Sequence, residues 1–297
     1  MGGRAIRMLA AAMVLSGAVC LSGCGMAGKP IVVTDPDEST SVAPKDPDPD
    51  PTAAEEPFVL PVFAELDEAF IGWGVRMRTD GTAPDVTEEW AWLLNRYNAY
   101  YADTRDSGGI GTKNIYLLFS ASYDNGNMPL ILDILREKTV PAVFYLVGDF
   151  VRAYPDLVRR LIDEGHALGN HSDTHPSLPR IGDEALVAEI QDYHRWILET
   201  FQYKMRYFMP PSGEFNEKVL ALADRMGYIT QFWSLAYDDY DPSVIRGADY
   251  AYDLVMRHLH GGAFVFLHSV SADNRQALGR LIDAIRTDGY TFRLFEP

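Results

Sequence analysis

Beyond residue 24 this chain has no cysteine; its two, Cys20 and Cys24, both lie near the start of 297 residues. The rest therefore forms no internal disulfide and offers no thiolate to a metal. Its core must hold by burial alone, and its length allows that. An excess of basic residues is also missing. Lys and Arg number 26 against 42 Asp and Glu, giving a formal net charge of −16. That balance argues against a nucleic-acid partner and against direct contact with anionic lipid, but says little about a neutral glycan. No internal repeat is visible. The apolar run at 8–21 is too short to span a bilayer in the usual way.

What the N-terminus has instead is the layout of an export signal. Arg4 and Arg7 precede the apolar run, which ends in Leu21-Ser22-Gly23-Cys24. That ending resembles a bacterial lipobox, in which the cysteine is acylated and becomes the new N-terminus. An ordinary signal peptide with an incidental cysteine is the alternative. Residues 1–23 are thus expected to be a signal peptide, with Cys24 as lipid anchor on the outer face of a bacterial cytoplasmic membrane. Residues 24–57, with Asp46-Pro47-Asp48-Pro49-Asp50-Pro51, read as an acidic, extended tether.

From residue 58 the chain fits one large body. Residues 58–110 form an aromatic extension, with Trp73, Trp90, Trp92, Tyr97, Tyr100 and Tyr101, and a helix is expected over 88–101. Such an aromatic stripe more often caps a core than binds sugar. From 111 to 297, short apolar runs alternate with helical periods. Strands are expected at 115–119, 142–147, 167–170, 207–209, 231–233, 263–268 and 291–294. Helices are expected at 129–138, 150–164, 183–201, 214–227, 250–260 and 274–288. Gly165, Gly227 and Gly289 stand where helices should stop. Alternating β and α units predict an α/β fold, here a distorted, incomplete (β/α) barrel. Such barrels place their sites at the C-terminal ends of strands, where His171, His175 and His268 all fall.

The stretch Gly169-Asn170-His171-Ser172-Asp173-Thr174-His175-Pro176 sets two imidazoles at a spacing that can grip one metal ion. Downstream come Met209-Pro210-Pro211-Ser212-Gly213, then Trp233 to Tyr240 with Tyr237 and Asp239, then Leu267-His268-Ser269. In this order the motifs resemble the NodB-type polysaccharide deacetylases, carbohydrate esterase family four. The subgroup they most resemble is the delta-lactam-associated muramic acid deacetylases. The resemblance implies removal of acetyl groups from peptidoglycan or a related amino-sugar polymer with the help of a divalent metal, zinc being the expected ion; with two histidines and no carboxylate, weak binding at most is expected here, and the chain is expected to be a monomer. It implies His171 and His175 as metal ligands, His268 as the acid that protonates the leaving amine, and Asp239, Trp233, Tyr237 and Tyr240 in the groove.

Three positions depart from the family pattern. Where the family reads Thr-Phe-Asp-Asp-Gly or Thr-Phe-Asp-Asn-Gly, this chain reads Leu118-Phe119-Ser120-Ala121-Ser122. Ser120 thus stands for the base and Ala121 for the metal carboxylate. Met209 stands for the arginine that pairs with the base. Ser122-Tyr123-Asp124-Asn125-Gly126 copies the motif four residues late, so that Asp124 would be the base in a shifted register. The ungapped register keeps Pro129 and its helix in place and is preferred. Serine is a weak base unaided, and an arginine without its carboxylate would be a costly buried cation. Asp173 either joins the histidines or serves a turn. His166, His194, His258 and His260 read as packing or surface residues. The expectation is a tethered deacetylase-fold protein whose chemistry is lost or greatly reduced. An active N-deacetylase using Asp124 and a purely structural or partner-binding lipoprotein are the alternatives.

Overall fold

The computed structural model describes residues 63–105 and 112–297. The expected signal peptide, Cys24 and the acidic tether lie outside the described residues. The strands are β1 (Ile71–Gly72), β2 (Ala99–Tyr100), β3 (Asn114–Ala121), β4 (Val143–Leu146), β5 (Ala167–Asn170), β6 (Tyr207–Phe208), β7 (Glu214–Phe215), β8 (Ile229–Gln231), β9 (Phe264–His268) and β10 (Thr291–Phe292). The helices are α1 (Glu88–Arg96), α2 (Met128–Lys138), α3 (Gly148–Ala153), α4 (Pro155–Asp163), α5 (Asp183–Val187), α6 (Tyr193–Phe201), α7 (Glu217–Arg225), α8 (Ala248–His258) and α9 (Ala272–Thr287).

Strand order in the main sheet is β10-β3-β4-β5-β6-β8-β2, with β9 also on β3, and every pairing in it is parallel. After β8 the chain bends back, and a single parallel bridge from Leu235 to Val265 ties it to β9. The sheet thus curls into an incomplete barrel, as the alternation of apolar runs and helical periods implies. Parity does the sorting. On β3, Ile115, Leu117 and Phe119 pack against helices, whereas Tyr116 and Leu118 face the barrel interior. The interior is filled by Tyr145, Tyr207, Met209, Phe264, Phe266 and Phe295.

The structure corrects several boundaries. The helix expected at 150–164 is two, because Pro155 has no N–H to continue α3 and starts α4 instead. The helix expected at 88–101 stops at Arg96. Asn98 then takes a left-handed φ of 48°, and β2 joins the barrel sheet beside β8. The aromatic extension therefore supplies a strand, which its composition did not disclose. Glu214 and Phe215 leave the expected helix 214–227 to pair with β1. The expected strand at 231–233 sits two residues earlier. Residues 183–201 are one helical run interrupted by a π-turn at Ala188–Asp192, with consequences for the site.

Candidate active site

A cavity of about 560 Å³ opens at the C-terminal ends of the barrel strands. Ser120, His171, His175, Trp233, Tyr237, Tyr240 and His268 line it, together with Tyr123, Ser212, Gly213, Asp238 and Phe266. Sequence reasoning had not singled out this last group. Tyr123 had served only to mark the shifted register, and Ser212 and Gly213 only as parts of a motif.

The histidine loop is held from below by Asn170, the last residue of β5. Its Nδ2 donates to Ile190 O and Tyr228 Oη, both at 2.9 Å, and its Oδ1 accepts from Ser172 N at 2.9 Å. Both carbonyl anchors of the loop belong to the π-turn: that of Ile190, which also accepts from Tyr193 N, takes the Asn170 bond, and that of Glu189 accepts from Asp173 N at 3.1 Å. Ser172 and His175 both take left-handed φ values, 64° and 62°, conformations that cost about 1–3 kcal/mol each and persist only where surroundings impose them. A third non-glycine residue of this kind, Ser212 at φ 56°, lies across the cavity. Gly213 follows it at φ 67°, where an added Cβ would sit 2.8 Å from Trp233 Cη2. Below the loop, a Cβ on Gly169 would lie 2.5 Å from the ring of Tyr145, so only glycine lets that buried ring fill the barrel.

The two imidazoles lie with ring centroids 4.9 Å apart. His171 Nδ1 lies 2.7 Å from Met209 O; the carbonyl can only accept, so Nδ1 carries the proton and Nε2 keeps its lone pair. Burial, reinforced by the neighbouring His175, pushes the His171 pKa down to about 3, and burial lowers that of His175. Both are neutral donors at pH 7. This is how metal-binding histidines are prepared, but a catalytic divalent ion usually has three protein ligands. Among the described residues no third His, Cys, Asp or Glu joins the pair to form such a group. Asp173 pairs with Arg152 at 2.7 Å, so it serves the loop, though as an ion-pair partner and not as a cap. The donor set fits a catalytic metal poorly.

Ser120, near the end of β3, is buried and lines the cavity. It stands in register with His268 on one side and Tyr145 on the other. Ala121 packs into the core on the helix side, and Met209 is fully buried inside the barrel. Asp124 does not line the cavity. Its Oδ1 accepts from Gly126 N and Met128 N, each at 3.0 Å, so it supports the turn into α2. Asn125 and Asn127 donate to Val270 O, at 2.8 and 3.0 Å, tying that turn to the chain after β9. These are the contacts of a helix-entry turn.

Asp239 is the best-held acid near the cavity. Its Oδ1 accepts from His268 Nδ1 at 2.6 Å, and its Oδ2 from His268 N at 2.8 Å and from Asn274 Nδ2. Asn274 Oδ1 in turn accepts from Tyr237 Oη. In the sequence Asn274 only begins an expected helix and has no part in the site; nothing short of the fold brings the first turn of α9 to Asp239. Trp233 stacks on Phe266 at 4.8 Å, and its carbonyl accepts from Trp73 Nε1 at 3.0 Å. Trp73 lies between Phe232, 4.6 Å away, and Trp90, 5.2 Å away, so the aromatic extension props up the cavity wall. Tyr240 stands at the mouth, 65% exposed. The remaining histidines take no part. His260, expected on a helix, lies past the end of α8, buried against Ser234 Oγ at 2.9 Å.

The family model "Polysaccharide deacetylase" matches residues 108–230. An uncharacterized 30.6 kDa protein of Geobacillus stearothermophilus is 39% identical over 75% of this chain and 83% of its own length. The peptidoglycan-N-acetylmuramic acid deacetylase PdaA of Bacillus subtilis is 36% identical over 75% of this chain and 83% of its own length. This chain belongs to the polysaccharide deacetylase family. The solved structure of PdaA, a family 4 carbohydrate esterase, superposes on this deacetylase-family chain with a TM-score of 0.72. That match is at 35% identity and covers 77% of this chain and 96% of PdaA. A CE4 family pseudoenzyme of Bacillus anthracis is also similar, at TM-score 0.57 and 28% identity over 65% of this chain and 66% of that one. A mutant of the Bacillus anthracis protein is described as having restored enzymatic activity.

Proposed function

We propose that this deacetylase-family protein binds peptidoglycan or a related amino-sugar polymer in its cavity and that its N-deacetylation is lost or strongly reduced. The observation that carries this reading is the pair Ser120 and Ala121 at the end of β3, with Asp124 spent on the turn into α2. A serine that lacks a carboxylate's basicity cannot take the water's proton as an aspartate does, and loss of a general base costs about 10²–10⁴ in rate. The retained wall of Trp233, Tyr237 and Tyr240 offers faces for sugar rings. The likeness to PdaA favours the muramic acid subgroup, and the likeness to a pseudoenzyme favours lost chemistry. The chain is read as monomeric, exported, and anchored to the membrane through Cys24. Any zinc would sit on His171 and His175 alone and would bind weakly; no step of a mechanism is assigned to it.

The test measures two things on one preparation: sedimentation with purified peptidoglycan, and acetate release from it. Binding without measurable release is the expected result. Release at the level of an active deacetylase, abolished by Asp124→Ala, would sink this reading in favour of an enzyme that recruits Asp124. Absence of binding would leave a structural or partner-binding lipoprotein.

A further inference from the structure

Three polar side chains that the loss of deacetylation would leave idle remain gathered at the ends of β3 and β9 and the loop after β8. His268 Nδ1 is bonded to Asp239 Oδ1 at 2.6 Å, and Asp239 is fixed further by His268 N and Asn274. A carboxylate only accepts, so Nδ1 carries a proton, and Nε2 is the ring nitrogen left for a reacting group. On the neighbouring parallel strand, Ser120 stands in register with His268. Register partners point to the same face, with Cβ atoms about 5 Å apart, a gap that a serine hydroxyl and an imidazole can span. Both residues line the cavity. Ser120 is tied in place through its carbonyl, which accepts from Ser269 N at 3.1 Å and from Ser269 Oγ at 3.0 Å.

We propose that Ser120, His268 and Asp239 form a nucleophile–base–orienter set that cleaves O-acyl esters carried on an amino-sugar polymer. The reaction class follows from the order of roles: hydroxyl, imidazole, carboxylate. Ser120 Oγ bonds to the ester carbonyl carbon while its proton passes to His268 Nε2. The carbonyl–O bond to the sugar then breaks, and the imidazolium returns the proton to that sugar oxygen. An acyl-serine remains. Water, deprotonated by the same imidazole, attacks it and releases the carboxylic acid and free Ser120. An ester suits this set better than an amide because its leaving oxygen departs with less help from an acid. Ser120 and His268 are the catalytic residues; Asp239 is a positioning residue. The proposal rests on the reading of the cavity as a site for acylated sugar.

The experiment treats the full-length chain with a fluorophosphonate, which phosphonylates activated serines, and locates the adduct by peptide mass spectrometry. One adduct at Ser120 is expected. It should vanish in Ser120→Ala and form about 10²–10⁴-fold more slowly in His268→Ala. Hydrolysis of 4-nitrophenyl acetate should fall in the same two variants. A downfield proton resonance from the His268 Nδ1–H is expected in the wild type and should be lost in Asp239→Asn, and the rate of labelling at Ser120 should fall with it while the urea midpoint of the folded chain is retained, a split that a merely structural carboxylate would not give. No adduct at Ser120, or labelling unchanged by His268→Ala, overturns the proposal. Peptidoglycan sedimentation separates the two readings. Binding without labelling leaves the binding function and removes this one; labelling without binding leaves an activated Ser120 but removes the polymer as the carrier of its substrate, and with it both readings of the cavity.

Discussion

Returning the groups that the family pattern carries tests the proposed loss of deacetylation. The perturbation is Ser120→Asp with Ala121→Asp and Met209→Arg, made singly and together. Met209 is fully buried and lies among Tyr145, Tyr207 and Phe266. An arginine alone there is an unpaired buried cation, and the expected loss of stability is about 3–5 kcal/mol. Adding Ser120→Asp supplies a carboxylate on the same inner face of the barrel. The pair should therefore be more stable than the sum of the two single changes by about 0.5–3 kcal/mol. Urea midpoints of the four corners of that cycle measure the coupling. Activity has its own magnitude: with the base returned at Ser120, acetate release from N-acetylated glycan in the presence of zinc should rise by about 10²–10⁴ over the wild type. Two results would refute the reasoning. One is strict additivity of the two stability changes. The other is a wild type that already releases acetate as fast as the triple variant.

Three further outcomes follow from particular residues. Both ring nitrogens of His166 are buried without a partner among the described residues, and burial lowers its pKa to about 4. The unfolded chain then binds the proton first, so about 3 kcal/mol of stability present above pH 6.5 should drain away as the pH falls through about 4; His166→Phe should flatten that acid limb in a pH series of urea midpoints. Trp73→Ala removes a ring stacked on both Phe232 and Trp90 and should cost about 3–5 kcal/mol, with a weakened Trp233 wall read as poorer glycan sedimentation. For the anchor, labelled palmitate should enter the wild type and not Cys24→Ser, and its absence from both would leave an ordinary signal peptide.

The barrel was legible because its strands are short apolar runs between helical periods, and β5 at Ala167–Asn170 falls where the run predicts. What escaped notice was set by contacts rather than pattern. β2 is two residues long at the end of an aromatic helix, and its strand character comes from hydrogen bonds to β8. The histidines, Ser120 and Asp239 could be found in order along the chain. That Asp239 grips His268 through two atoms, or that Asn274 joins them, required α9 and the loop after β8 to meet. The choice between Ser120 and Asp124 was open in the sequence because two similar segments lie four residues apart. In the fold, one points into the cavity and the other starts a helix.

The π-turn at Ala188–Asp192 makes residue count itself part of the site. A π-turn accommodates one residue more than a regular helical turn, so shortening 188–192 by one would let α5 and α6 run on as ordinary helix. Hydropathy would barely change. The carbonyls of Glu189 and Ile190 would be rotated away from the histidine loop, and the Asp173 amide and the Asn170 side chain would lose their acceptors. The placement of His171 and His175 is thus written partly as a length, in a helix that contributes no ligand, and a one-residue deletion there should unsettle the loop more than many substitutions within it.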